Sequence, residues 1–367
     1  MTKNEIFETR LYEMFPDTKT TGTITTKNIE AVMKDVKTSY FPRFLLSHRV
    51  QRGLYAVKGS YREDEVVNTP TVKLSLIPKI DDNYVPFGNH KDVETIIKAG
   101  IFYPTYISGP TGNGKSTMIE QICATHNKNL IRVNLNMMSD EDQLIGSKTL
   151  EDGNVVIVEG PVLIAMRAGA TLLLDEVDAG SANTLLCLQP ILEGKPYYFK
   201  LKNEVILPTK GFNIIATANT KGKGSDDGRY IGTNILNEAF LERFAVTFEQ
   251  EYPNAKIELK IISNLMDFYN CKDVEFAETL VKWADAIRRT FDDGGVDETI
   301  TTRRMTHIIR AFSIFKNKKK AIELCCNRFD NTTKAAFQDL FDKVSNPDVS
   351  SSVPSSDTNT TNDDNSF

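Results

Sequence analysis

The sequence predicts an α/β fold: a mostly parallel sheet covered by helices on both faces, with a small helical module before it and a helical bundle after it. Three observations lead there. Five short apolar runs, at 104–107, 130–135, 171–174, 212–216 and 244–248, alternate with helical stretches. Between the first run and the helical Thr117-Met-Ile-Glu-Gln-Ile-Cys123 lies Gly109-Pro-Thr-Gly-Asn-Gly-Lys-Ser116, the spacing G-x-x-x-x-G-K-[ST] of a phosphate-binding loop. Beyond Pro253 the pattern changes to helices only.

Each segment can be justified in chain order. Residues 1–60 form a small basic module. Ile6, Phe7, Leu11 and Tyr12 suggest one helix, and Thr25 caps a second whose Ile29, Val32, Met33 and Val36 share a face. Pro42-Arg-Phe-Leu-Leu46 starts a third, and Gly53-Leu-Tyr-Ala-Val57 reads as a strand, so the module is winged-helix-like. Lys27, Lys34, Lys37, Arg43, Arg49, Arg52 and Arg62 leave two readings open, a solvated docking face or nucleic-acid contact through residues 25–62. A polar linker follows at 61–84, then the α/β core at 85–252. The helical domain at 253–344 contains helices near 255–268, 276–290, 302–315, 321–328 and 333–344. The tail at 345–367 has four aspartates and no Lys or Arg, and is expected to stay disordered. Its Asp348-Val-Ser-Ser-Ser352 matches a D-x-S-x-S metal motif, which we read as coincidence in a serine-rich stretch.

Composition narrows the class. The 367 residues are 40% hydrophobic and 25% charged with a net charge of −5, ordinary for a soluble chain. No apolar run is long enough to span a bilayer and the N-terminus is too polar for a signal peptide, which predicts a cytoplasmic protein with no membrane contact. Five cysteines without C-x-x-C spacing predict reduced thiols, and the four scattered histidines argue against a transition-metal site.

The chemistry concentrates at the ends of the predicted strands. Gly109, Pro110, Thr111, Gly112, Asn113, Gly114, Lys115, Ser116 and Thr117 form the candidate nucleotide loop. Its N–H groups and helix N-terminus would face the phosphates, Lys115 would reach the β- and γ-phosphates, and Ser116 would ligate Mg²⁺. Ala170-Thr-Leu-Leu-Leu-Asp-Glu176 is an apolar strand ending in two acids, a Walker B element in which Asp175 holds Mg²⁺ and Glu176 polarises the attacking water. Asp178 reads as an N-cap for a helix running from about 181 to 192. Phe212-Asn-Ile-Ile-Ala-Thr-Ala-Asn219 ends in an amide suited to sensing a γ-phosphate, or to a strand-end turn. Arg243 closes a helix before the last strand and could reach a neighbouring subunit's nucleotide, or pair locally with Glu238 or Glu242. In Thr301-Thr-Arg-Arg304, Arg303 is the candidate that reaches back to the nucleotide, with Arg304 second.

The order of Walker A, Walker B, Asn sensor, arginine finger and helical segment resembles the AAA+ ATPases. Residues 147–158, with an Asp-Gly turn, and residues 195–207 read as two inserted hairpins, similar to those of the MoxR and chelatase branch. Lys115-Ser-Thr-Met-Ile-Glu-Gln121, Arg132-Val-Asn-Leu135, Asp175-Glu-Val-Asp-Ala-Gly180, Ala216-Thr-Ala-Asn-Thr220 and Gly228-Arg-Tyr-Ile-Gly-Thr233 look most like the CobS-type ATPase subunit of aerobic cobaltochelatase, a kind of chain also carried by tailed bacteriophages. The resemblance covers about residues 85–264. It implies a homo-oligomeric ring, a hexamer, with ATP and Mg²⁺ at subunit interfaces, a helical lid, and hairpins that move against a partner protein. That partner would be a chelatase large subunit or metal-site adaptor. A MoxR-like chaperone for another client and a nucleic-acid-associated ATPase remain as alternatives.

Overall fold

A computed structural model describes residues 3–18, 23–38, 45, 49–51, 54–56, 75–151, 154–224 and 232–346. The chain divides into two compact units, Met1–Leu74 and Ser75–Phe367.

In the first unit, helix α1 (Lys3–Met14) precedes β1 (Thr23–Thr25), α2 (Thr26–Asp35), β2 (Arg49–Gln51) and β3 (Leu54–Ala56). The strands form a small antiparallel sheet in the order β1-β3-β2. Thr25 caps α2 as expected, its hydroxyl accepting from the Asn28 N–H at 3.3 Å. Ile29 and Val32 of α2 then meet Phe7, Leu11, Ile24, Leu45 and Tyr55 in one apolar core. The same helix leaves Lys27 and Lys34 exposed. Of the expected helix at 42–46 only Leu45 is described; Arg43, Arg52, Arg62 and the tail from 347 lie outside the described residues.

The second unit is built on a parallel sheet in the order β12-β4-β11-β8-β5. Its strands are β4 (Thr105–Ser108), β5 (Leu130–Asn134), β8 (Thr171–Asp175), β11 (Asn213–Ala218) and β12 (Val246–Glu249). The three central strands are buried along their whole length, whereas β5 and β12 at the edges alternate in exposure. Strand alternation divides the core between the two faces. Leu172, Leu174, Ile214 and Ala216 pack with Val162, Leu163 and Met166 of α6 (Pro161–Ala168). Leu173, Ile107 and Ile215 pack with Val93 and Ile97 of α3 (His90–Ala99) and with Met118, Ile119 and Ile122 of α4 (Lys115–Thr125).

After β5 comes α5 (Glu141–Leu144) and the first hairpin, β6 (Gly146–Glu151) with β7 (Asn154–Glu159), whose expected Asp152-Gly153 turn lies outside the described residues. The helix expected over 181–192 is instead two pieces, α7 (Ala182–Cys187) and α8 (Gln189–Leu192). Pro190 has no N–H to continue the ladder, which accounts for the break. The second hairpin pairs β9 (Tyr197–Phe199) with β10 (Glu204–Ile206). Between β11 and β12 lies the short α9 (Glu238–Leu241).

The C-terminal part is helical: α10 (Ala255–Phe268), α11 (Val274–Asp292), α12 (Thr302–Phe315), α13 (Lys318–Cys326) and α14 (Asn331–Ser345). They share a core around Trp283, whose indole N–H donates to the Phe337 carbonyl at 2.8 Å. Among the described residues, no helix is long and apolar enough to cross a membrane.

Candidate active site

The loop between β4 and α4 is shaped by its glycines. Gly109 has φ +150°, and a side chain there would collide with the Gln250 carbonyl at the end of β12. Gly112 sits at φ +68° with Thr301 against it, so the N-terminal end of α12 packs onto backbone rather than onto a side chain. Asn113 donates to the Gln250 carbonyl, and the Tyr252 hydroxyl donates to the Thr111 carbonyl at 2.9 Å. Gly114 caps α4, placing Ser116 and Thr117 in its first turn. Pro110 presents its carbonyl to Lys115.

Lys115 is 7% exposed. Its ammonium donates to Gly109 O at 2.6 Å and Pro110 O at 2.9 Å, with Asn113 Oδ1 and Asn219 Oδ1 each at 3.4 Å. Burial pushes this lysine down to about 8, against the opposing pull of Asp178 and Asp175. A phosphate here would replace carbonyl dipoles with full negative charge.

Ser116 Oγ donates to Asp175 Oδ1 at 2.8 Å. Thr217 of β11 donates to the same oxygen, while Arg132 of β5 pairs with Oδ2 and with Glu120 at 2.8 Å. The Asp175 carboxylate is therefore buried and clamped from two neighbouring strands. Ser116 Oγ and the Asp175 carboxylate are oxygen donors of the kind a hard divalent cation takes, so Mg²⁺ fits the residues present. Glu176, the next residue, is exposed and holds φ 57°, ψ 45°. A left-handed non-glycine at a strand end costs on the order of 1–3 kcal/mol, a strain that clusters at functional sites.

Asp178 corrects the sequence reading. It caps no helix; Ser181 caps α7, its hydroxyl accepting from Thr184 N at 3.1 Å. Asp178 is fully buried, and one carboxylate oxygen accepts from the N–H groups of Asn219 and Thr220, both at 2.9 Å, and from the Thr220 hydroxyl at 3.0 Å. An acid three residues after the strand looks like a cap in sequence, but the strand-end turn carries it under β11.

Lys115, Ser116, Asp175, Glu176, Asn219 and Arg303 all line one cavity of about 190 Å³. Arg304 is not among its lining residues. It lines a second cavity of about 410 Å³, which Pro110, Thr111, Gly112 and Arg303 also border. Arg243 lines neither. Its Nε donates to Glu193 at 3.0 Å and another guanidinium nitrogen donates to the Ala239 carbonyl, so its local partner is Glu193 and not Glu238 or Glu242. Sequence reasoning missed Arg132 and Thr217. Both sit on strands flanking β8 in register with it, so their meeting with Asp175 follows from strand order and has no local sequence signal.

The AAA domain (dynein-related subfamily) matches residues 104–244. The chain is 30% identical over 235 residues to the aerobic cobaltochelatase subunit CobS of a Sinorhizobium species, covering 62% of this chain and 70% of the relative. An uncharacterized protein of Staphylococcus saprophyticus is 30% identical over 207 residues, 54% of this chain and 73% of that one. Among solved structures, the Thermotoga maritima RuvB Holliday junction branch migration motor aligns at 17% identity and TM-score 0.42, over 68% of this chain and 72% of that one. By the AAA domain match and the CobS relative, the chain belongs to the AAA+ ATPases, in the MoxR and chelatase branch and with a CobS-type sequence.

Proposed function

We propose that this chain hydrolyses ATP in a homo-oligomeric ring and spends the cycle on remodelling a partner protein. The observation that carries the hydrolytic reading is the convergence of Lys115, Ser116, Asp175, Glu176 and Asn219 on a single cavity. Lys115 and the α4 N-terminus hold the β- and γ-phosphates. Ser116 and Asp175 would hold Mg²⁺, which when bound supplies charge neutralisation at the phosphate oxygens. Glu176 accepts the proton of the attacking water, Asn219 orients that water against the terminal phosphate, and Arg303 places its guanidinium on the same oxygens from the lid. Arg243, outside the cavity of its own chain, is available to a neighbour's nucleotide.

For the client, the CobS likeness supports a chelatase-type assembly in which a separate large subunit carries out metal insertion. A Glu176→Gln chain should bind ATP with near-wild-type affinity and lose about 10²- to 10⁴-fold in turnover, because only the water-activating carboxylate has gone. Captured with ATP, it should retain its protein partner. A variant losing affinity as steeply as turnover contradicts the role; recovery of nucleic acid in place of protein would favour a nucleic-acid-associated ATPase working through the basic N-terminal unit.

A further inference from the structure

The larger cavity beside the phosphate loop borders a polar cluster that the proposed chemistry does not use. Glu258 of α10 is 1% exposed. Its carboxylate accepts two hydrogen bonds from the Arg288 guanidinium, each 2.9 Å, and one from the Thr302 hydroxyl at 2.6 Å. Arg288 also donates through Nε to the Ile300 carbonyl at 2.8 Å, and its guanidinium lies 4.1 Å from the Tyr252 ring centroid. The Tyr252 hydroxyl donates to Thr111 O. From the other side, the Arg303 N–H donates to Gly112 O at 3.2 Å. The contacts close a circuit from loop residue 111 through Tyr252, Arg288, Glu258 and Thr302 to Arg303 and back to loop residue 112.

A buried ion pair is weak evidence for stability, since well-packed apolar groups often serve as well; its gain is in selecting one arrangement. Here it selects where α12 begins. Thr302 is the first residue of α12 and Arg303 the second, so anchoring Thr302 fixes the backbone from which the Arg303 side chain departs. The two ends of the circuit lie on adjacent residues of the phosphate loop, so displacement of that loop is felt by the helix start.

We infer that Glu258, Arg288, Thr302 and Tyr252 are positioning residues that hold the Arg303 guanidinium against the terminal phosphate, an inference that rests on the ATPase reading above. Thr302→Val removes one hydroxyl while keeping shape. It should lower turnover about five- to tenfold and weaken the preference for a fluorescent ATP over the matching ADP by a similar factor, while Thr302→Ser stays within about twofold of wild type. Because the effect runs through Arg303, Thr302→Val should add less than about twofold in an Arg303→Ala background.

Unchanged turnover and nucleotide preference in Thr302→Val would overturn the inference, as would an equal loss with and without Arg303. If thermal melting shows that Thr302→Val does not fold, Tyr252→Phe, which removes the hydroxyl that donates to the Thr111 carbonyl, takes its place under the same criteria. A wild-type chain that neither binds nor hydrolyses ATP removes the ATPase reading and this inference with it. Wild-type turnover with indifferent variants removes the inference alone.

Discussion

The phosphate cavity and the paired hairpins are made from the same unit but to opposite rules. In the cavity, polar groups are buried and partnered: Lys115 lies among loop carbonyls, and Asp175 is clamped by Ser116, Thr217 and Arg132. On the hairpins, apolar side chains stand in solvent. Leu150 and Val155 face each other across β6 and β7 at 73% and 66% exposure, and Tyr198 and Val205 do so across β9 and β10 at 51% and 58%. Desolvated, pre-oriented charge suits a small anionic ligand, and exposed cross-strand apolar pairs suit contact with another macromolecule. On the proposed function, the difference separates the part that would bind ATP from the part that would meet a partner protein.

The widest test asks whether the cavity of one chain is sufficient for catalysis. Arg243→Ala should bind ATP normally yet lose roughly 10³- to 10⁵-fold in turnover if its guanidinium acts across a subunit boundary. Mixing it with Lys115→Ala, which keeps an intact finger, should restore part of the activity in steady-state assays. An active monomer at high dilution, or no rescue under demonstrated subunit exchange, would leave Arg243 a structural partner of Glu193. Next in size, Lys115→Ala should weaken ATP binding by about 100-fold, roughly 2–3 kcal/mol for lost charge-assisted bonds, as read by calorimetric titration. Leu150→Ser combined with Val155→Ser should leave basal ATP turnover within about twofold while reducing partner capture. Equal damage to basal turnover would collapse the distinction between the two regions.

The smallest effect is a proton. Between about 8 and the ordinary lysine value of 10.5, Lys115 is neutral in the folded chain and charged in the unfolded one. The unfolded state then binds more protons, so this residue's contribution to stability rises with pH across that window. Phosphate restores the charged form, so ATP binding at pH 9 should take up close to one proton, and affinity should fall as pH climbs past 8. Calorimetry in two buffers of different ionisation heat measures that uptake; none at pH 9 would mean Lys115 stays protonated without nucleotide.

Much of this was legible because the chemistry is local in sequence. A phosphate-binding loop needs its glycines, lysine and serine within one turn, and a Walker B pair must follow an apolar run, so motif and strand pattern were enough to single out Lys115, Ser116, Asp175 and Glu176, which line one cavity. Helices α10 and α12 fell where apolar periodicity placed them, at 255–268 and 302–315. What stayed hidden depends on strand order. Arg132 and Thr217 meet Asp175 only because β5 and β11 flank β8, and no local pattern reports that adjacency. Asp178 was misread because cap and buried clamp use the same residue type at the same distance from a strand end. The Glu258–Arg288 pair joins two consecutive helices through residues thirty apart and has no sequence signature.

The sheet order also bears on how the chain is made. Strand β4, which delivers the phosphate loop, pairs only with β11 and β12: Thr105 lies beside Ile215 and Val246. On a ribosome, the loop sequence therefore emerges long before either neighbour of its strand exists. Until both arrive, β4, which the finished sheet buries along its whole length, has nothing to add to, and parallel pairings of such separation form slowly. Nascent chains ending before Val246 carry Lys115, Ser116, Asp175 and Glu176 but lack the edge strand and, just after it, the Gln250 carbonyl that accepts from Asn113, so on the proposed function nucleotide capture should mark completion of the α/β layer rather than synthesis of the motif.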